Sequence, residues 1–337
     1  MSAALEPRNT PSTPARTVVG RAGGAGPLRI GLINNMPDSA LQSTEAQFCA
    51  LLEAASGSER ITVRLSSFPE LPRGADALAR IESAYWPLEQ LLGEGLDALV
   101  VTGTEPRAPL LSDEPYWHRF GQLLDYAERR THASIWSCLA AHAAVETLDG
   151  IRRQRRAEKR SGVYEHHILG GHPLLQGVGG PLRMPHSRWN ELPLRPLREA
   201  GYTLLSWSDD SGADAFVRHQ DSLMLFFQGH PEYEGNTLLK EYRRDVGRYL
   251  NRTQEHYPTL PVGYLSTEAT ATMESFRRAA VAERRPELLE RFPFAEVNAN
   301  LHNTWQAPAV AIYRNWLAHI QARRREATRL AEPVSLR

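Results

Sequence analysis

The chain has 337 residues, 42% of them apolar, which is enough to bury one sizeable core, and its 39 basic residues balance 39 acidic ones. A net charge near zero argues against a nucleic-acid surface, and no apolar run is long enough to cross a membrane. Two cysteines, Cys49 and Cys138, do not make a disulfide framework, and a working thiolate points to a reducing cytoplasm. The first 27 residues are rich in Ala, Pro, Arg, Gly, Ser and Thr, lack an apolar block, and read as a flexible leader. Order is expected from Leu28, with strand-like runs over 28–34, 61–68, 98–102, 134–137, 202–206, 215–218 and 223–228. Helical periodicity covers 40–54, 116–129, 139–148 and 237–250. This alternation predicts an α/β fold: one domain over 28–320 with a doubly wound, mostly parallel sheet flanked by helices and its site outside the strands' carboxyl ends. A long basic helical pattern over 309–330, with Trp316 and Leu317 on its apolar side, either caps the domain or packs against another subunit in a homodimer. Residues 321–337 read as a basic tail. His166 and His167 are adjacent, so a strand or helix points them apart, and no metal-ligand spacing is evident.

The chemistry concentrates at two strand ends. In Ser134-Ile135-Trp136-Ser137-Cys138-Leu139-Ala140-Ala141-His142 an apolar run stops and an alanine-rich helix begins, which puts Cys138 on a sharp elbow at a helix N-terminus. The helix dipole there favours a thiolate, and first-turn amides, Leu139 foremost, can hold an oxyanion. A lone cysteine in such a place is more often a small buried hydrophobe. The second strand end weighs against that: Leu225-Phe226-Phe227-Gln228-Gly229-His230-Pro231-Glu232 offers His230 as a base and Glu232 as the carboxylate that orients it.

These residues also carry a resemblance. Cys138, the run from Glu158 through Lys159 to His167, Pro185-His186-Ser187-Arg188, Gly229-His230-Pro231-Glu232-Tyr233 and Glu241-Tyr242-Arg243-Arg244-Asp245-Val246 resemble the homoserine O-succinyltransferase family, and Ile30 to Pro37 followed by Thr44-Glu45 and Gln47-Phe48 is similar too. The resemblance implies a class I glutamine amidotransferase-like (flavodoxin-like) fold and acyl transfer from acyl-CoA to the hydroxyl of L-homoserine, in methionine biosynthesis. Acyl-CoA would be a co-substrate, with no bound cofactor or metal. By the same resemblance Cys138 would carry the acyl thioester, His230 would be the base and Glu232 its partner, while Lys159, Ser187, Arg188 and Arg244 would bind substrate. An acetyl-CoA-dependent homoserine or serine O-acetyltransferase of the same fold remains the alternative.

Each binding residue also has a plainer reading. Arg244 lies on an amphipathic helical pattern, where it could pair with Glu241, and Lys159 sits in the basic run 152–160, a solvated face or an attraction for CoA phosphates. The chain departs from the family at His142, where Gln is usual, at Leu139, where Trp often stands, and at Asp38-Ser39, where lysines are common. Arg107, in Thr104-Glu105-Pro106-Arg107, aligns with Gly in succinyl-specific members and Glu in acetyl-specific ones. Its charge would attract the free carboxylate of a succinyl group, making it the expected acyl-specificity residue, unless it points to solvent.

Overall fold

In the computed structural model, which describes residues 26–331 and the backbone of 4–6 and 15–18, the strands that reach the site are buried, mainly apolar runs. Such runs suit a sheet covered on both faces. Within the expected leader, β1 (Ala4–Glu6) and β2 (Ala15–Val18) are strands, and the remainder of 1–25 lies outside the described residues. Then come β3 (Leu28–Ile33), α1 (Asp38–Ser56), β4 (Ile61–Ser66), α2 (Ala75–Ala84), α3 (Leu88–Gly93), β5 (Ala98–Val101), α4 (Trp117–Arg130), β6 (Ala133–Ser137) and α5 (Leu139–Asp149). A long hairpin follows, β7 (Gln154–Ile168) and β8 (Leu182–Glu191), with α6 (Leu194–Glu199), β9 (Thr203–Leu204), β10 (Ser206–Ser208) and β11 (Gly212–Ala213) after it. The last elements are β12 (Ala215–His219), β13 (Leu223–Phe227), α7 (Thr237–Leu250), α8 (Thr267–Glu283), α9 (Phe294–Asn298) and α10 (Gln306–Ala331).

The main sheet runs β1-β2-β4-β3-β5-β6-β13-β12-β9. Its five central strands, β4 to β13 in that order, are parallel, and the pairs at both margins are antiparallel. The chain winds from β3 out to β4 and then back across to β5, so the winding direction changes between β3 and β5. Crevices form beyond the carboxyl ends of strands at such a switch. One face of the sheet is covered by α1 and α10, with Phe48, Ile312 and Trp316 buried on it; the other is covered by α4 and α5, with Phe120, Ala141 and Val145. A third apolar cluster joins α7, α8 and α9 through Tyr242, Met273 and Val297. No described helix is long and apolar enough to cross a membrane.

One sequence expectation changes. The helix α10 runs unbroken through residue 320, so 321–331 continue it rather than beginning a tail, and 332–337 lie outside the described residues. Its apolar side is covered within the chain by α1. The basic run 152–160, read as a solvated face or an attraction for CoA phosphates, is exposed or half-buried throughout and is largely the first half of β7, which pairs with β8 in a second sheet of order β11-β10-β7-β8. Two of its charges have partners across the fold: Arg156 pairs with Glu191 at 2.7 Å, and Lys159 with Asp245 at 2.7 Å.

Candidate active site

Cys138 stands between the last residue of β6 and the first of α5, with φ 53° and ψ −111°. A side-chain-bearing residue adopts such angles only where its surroundings hold it there. Here the hold is visible: the Cys138 N–H donates to the Phe227 carbonyl at the end of β13 (2.7 Å), and its own carbonyl accepts from His142 N–H (3.2 Å). The thiol is partly exposed, whereas Cys49 is buried in α1. Across from it the loop after β5 approaches closely. A Cβ placed on Gly103 would lie 2.8 Å from Leu139 Cβ and 3.0 Å from Leu139 N, so glycine is what lets this loop reach the first amide of α5.

The base comes from β13. Gly229 donates its N–H to Asp214 Oδ1 (2.9 Å), and a Cβ there would meet Met184 Cγ at 2.6 Å and Asp214 Oδ1 at 2.7 Å. His230 N–H donates to the Pro185 carbonyl of β8 at 2.8 Å. The turn carrying His230 is thus fastened to both sheets. His230 Nδ1 bonds Glu232 Oε1 at 2.8 Å, and the imidazole lies within the electrostatic reach of the Cys138 side chain. The Tyr233 ring stacks on the imidazole at 4.2 Å. Burial, the largest single influence, disfavours a charged His230, but the charges of Glu232 and Cys138 and the hydrogen bond to Glu232 outweigh it and raise its pKa well above the ordinary value.

Cys138 opens onto two cavities, of about 620 and 650 Å³. The first is lined by His230, Glu232, Lys159, Ser187 and Arg244, so the structure brings five of the expected residues together with Cys138 and Leu139. Lys159 and Arg244 both face Asp245, at 2.7 and 3.1 Å. Burial works against the Asp245 carboxylate, yet those two cations overcome it and lower its pKa.

Arg188 and Arg107 stand elsewhere. Arg188 is buried and lines only the second cavity, where it donates to the carbonyls of Ser211 (2.5 Å) and Asn190 (2.8 Å) and to His186 Nδ1 (3.2 Å). Arg107 is exposed and lines neither cavity; its backbone N–H donates to Glu114 Oε1 at 2.6 Å, and its charge acts on Asp38. The expectation that it faces the acyl group is corrected on this point: the loop after β5 turns the neighbouring Thr104, Glu105 and Pro106 inward, not Arg107.

His142 is buried, donates Nε2–H to Gln228 Oε1 (3.0 Å), and burial with the Arg188 charge beside it pushes its pKa down to about 3. His166 does separate from His167, but on the buried face it meets His186 and Asp214, with ligand-type atoms within 4.8 Å of one another. Arg188 donating to His186 Nδ1 leaves that ring's Nε2 protonated and facing Asp214 Oδ1 at 3.6 Å. At that distance no hydrogen bond forms, and His186 Nε2 has no hydrogen-bond partner among the described residues. Sequence reasoning missed Tyr233, Glu241, Asp245 and Arg248 as cavity residues, although all lie in or beside motifs that resemble the family. It also missed 254–259, which carry no strand or helix pattern.

Fold and site together define a class: an open α/β protein with a strained cysteine, a histidine and a glutamate arranged as in nucleophilic catalysis. A family model described as homoserine O-succinyltransferase matches residues 19–326. Homoserine O-succinyltransferases of Methylorubrum extorquens and Rhodopseudomonas palustris are 44% and 41% identical to this chain, over 88% of it in both cases and over 88% and 89% of their own lengths. A glutamine amido transferase of known structure from Methylobacillus Flagellatus is similar with a TM-score of 0.48 and 14% identity, over 88% of this chain and 96% of that one. The chain belongs to the homoserine O-succinyltransferase family.

Proposed function

We propose that this chain transfers a succinyl group from succinyl-CoA to the hydroxyl of L-homoserine through a thioester on Cys138, a step of methionine biosynthesis. The observation that carries the reading is the Cys138 elbow sharing one cavity with the buried, hydrogen-bonded His230–Glu232 pair and with Lys159, Ser187 and Arg244. In the first half-reaction the Cys138 sulfur attacks the thioester carbonyl. The new S–C bond replaces that to CoA, whose sulfur leaves with the proton of the His230 imidazolium. The Leu139 amide steadies the oxyanion. Acylation removes the thiolate charge that helps hold the proton on His230, so the imidazole is left neutral. It then takes the proton from the homoserine hydroxyl as that oxygen attacks, and Cys138 and His230 return to their starting charges.

The amino-acid end of the acceptor suits the first cavity. Arg244 can take its carboxylate bidentately and Ser187 a polar group beside it, while Lys159 holds Asp245 in place. Glu241 supports an ammonium contact: its Oε1 accepts from the Tyr233 hydroxyl at 3.0 Å, and its buried Oε2 has no hydrogen-bond partner among the described residues. The test is to incubate purified protein with succinyl-CoA or acetyl-CoA, with and without homoserine or serine, and follow free CoA. Sustained release requiring succinyl-CoA and homoserine is expected. Turnover only with acetyl-CoA, or only with serine, would contradict it.

A further inference from the structure

The second cavity beside Cys138 is not explained by the acceptor. His230, Lys159 and Arg244 line only the first and Ser187 lines both, so the base and the acceptor's charged anchor Arg244 lie on one side of the sulfur. An acyl chain lying in that same space would occupy the acceptor's place. The second cavity also touches Cys138 and Leu139, and it is lined by four arginines, Arg152, Arg153, Arg155 and Arg188, against two glutamates, Glu105 and Glu146. Its excess of positive charge suits an anion.

Three of those arginines are engaged. Arg188 is held by two backbone carbonyls and His186. Arg152 is exposed and pairs with Glu146 at 3.6 Å, and the Arg155 guanidinium lies over the Trp189 ring, 4.9 Å from its centroid. Arg153 is half-buried and makes neither a hydrogen bond nor a close ion pair among the described residues. The groups whose fields reach it are Tyr116, Glu146, Cys138 and Glu114, and burial, the largest influence, works against its charge. An unpaired guanidinium within the field of the nucleophile, on the side away from the base, is what a short acyl chain ending in a carboxylate would meet.

We infer that the second cavity receives the acyl part of the donor and that Arg153 binds a free carboxylate at its far end, so that Arg153 selects dicarboxylic over monocarboxylic acyl groups; this rests on the thioester reading above. It assigns to Arg153 the charge role that Arg107 cannot fill from solvent.

The test compares succinyl-CoA with butyryl-CoA, which has a methyl where succinyl has the terminal carboxylate. The rate of acyl-adduct formation on Cys138, without acceptor, is measured by intact mass for wild type, Arg153→Ala and Arg153→Lys. A charge-assisted hydrogen bond of this kind corresponds to about ten- to a hundredfold. Arg153→Ala should lower the succinyl rate by about that factor while the butyryl rate stays within about twofold, and Arg153→Lys should recover part of the loss. A variant that failed to fold would lose both donors alike, which the butyryl arm detects, and protection of wild-type Cys138 from alkylation then decides: free succinate should protect it better than butyrate. Equal protection by the two, equal loss with both donors in a folded variant, or an unchanged donor ratio overturns the inference. No adduct on wild-type Cys138 with either donor overturns instead the thioester reading beneath it.

Discussion

Cys138 occupies a backbone conformation that costs on the order of 1–3 kcal/mol for a residue with a side chain, and it is retained at the point where two strand ends and a helix meet. Replacing it should therefore remove activity without removing the fold. Cys138→Ala is expected to lose on the order of 10⁴-fold or more in turnover while circular dichroism and the thermal midpoint stay near those of wild type. Appreciable turnover in this variant would contradict a nucleophilic role. The same cysteine governs the proton on His230. The Cys138 charge is among the influences that raise the His230 pKa, so the histidine should titrate at lower pH in Cys138→Ala, as read by NMR of labelled imidazoles. An unmoved titration would separate the two side chains. The sign for stability follows from the raised value: His230 contributes stabilisation fully present below the unfolded pKa of about 6.5, and it is lost as pH rises through the higher folded value.

Among the elements, the loop after β5 carries two opposite expectations. Gly103 is where it touches α5, and a methyl at that position must displace the Leu139 backbone. Gly103→Ala should lower kcat by about ten- to a hundredfold with a smaller change in KM, because the oxyanion amide moves while the cavity remains. A kcat equal to wild type would remove Leu139 from the mechanism. Arg107, four residues on, faces solvent, so Arg107→Glu should leave the ratio of kcat/KM for succinyl-CoA and acetyl-CoA unchanged. A swing towards acetyl-CoA would restore it as the specificity residue.

The contrast between Gly103 and Arg107 marks how far the sequence could be read. The parallel strands were legible because buried strands are short apolar runs, and Cys138 and His230 because each follows such a run directly. The hairpin β7–β8 was not: the first half of β7 is charged and exposed or half-buried, and its ion pairs are to distant residues such as Asp245 and Glu191, which no local period reveals. The second cavity was equally hidden. It is assembled from the loop after β5, the start of α5, the turn into β7 and the end of β8, none of which marks itself alone. The direction in which Arg107 points is set by loop geometry, outside the reach of motif spacing.

On the scale of the whole molecule, α10 closes one face of the sheet, and Trp316 within it is fully buried among Phe48, Ile312 and Tyr313. Trp316→Ala should destabilise the protein by about 3–5 kcal/mol in urea unfolding, with kcat of the folded fraction little changed, since α10 lies on the face away from α5. A loss below about 1 kcal/mol would mean that this face does not hold the sheet. The account as a whole stands on one covalent event. Wild-type protein mixed with succinyl-CoA alone, quenched in acid and digested, should show a single succinyl adduct on the peptide containing Cys138, with free CoA released in equal amount and the adduct discharged on adding homoserine. An adduct on Cys49, or CoA release only when homoserine is present, would contradict it.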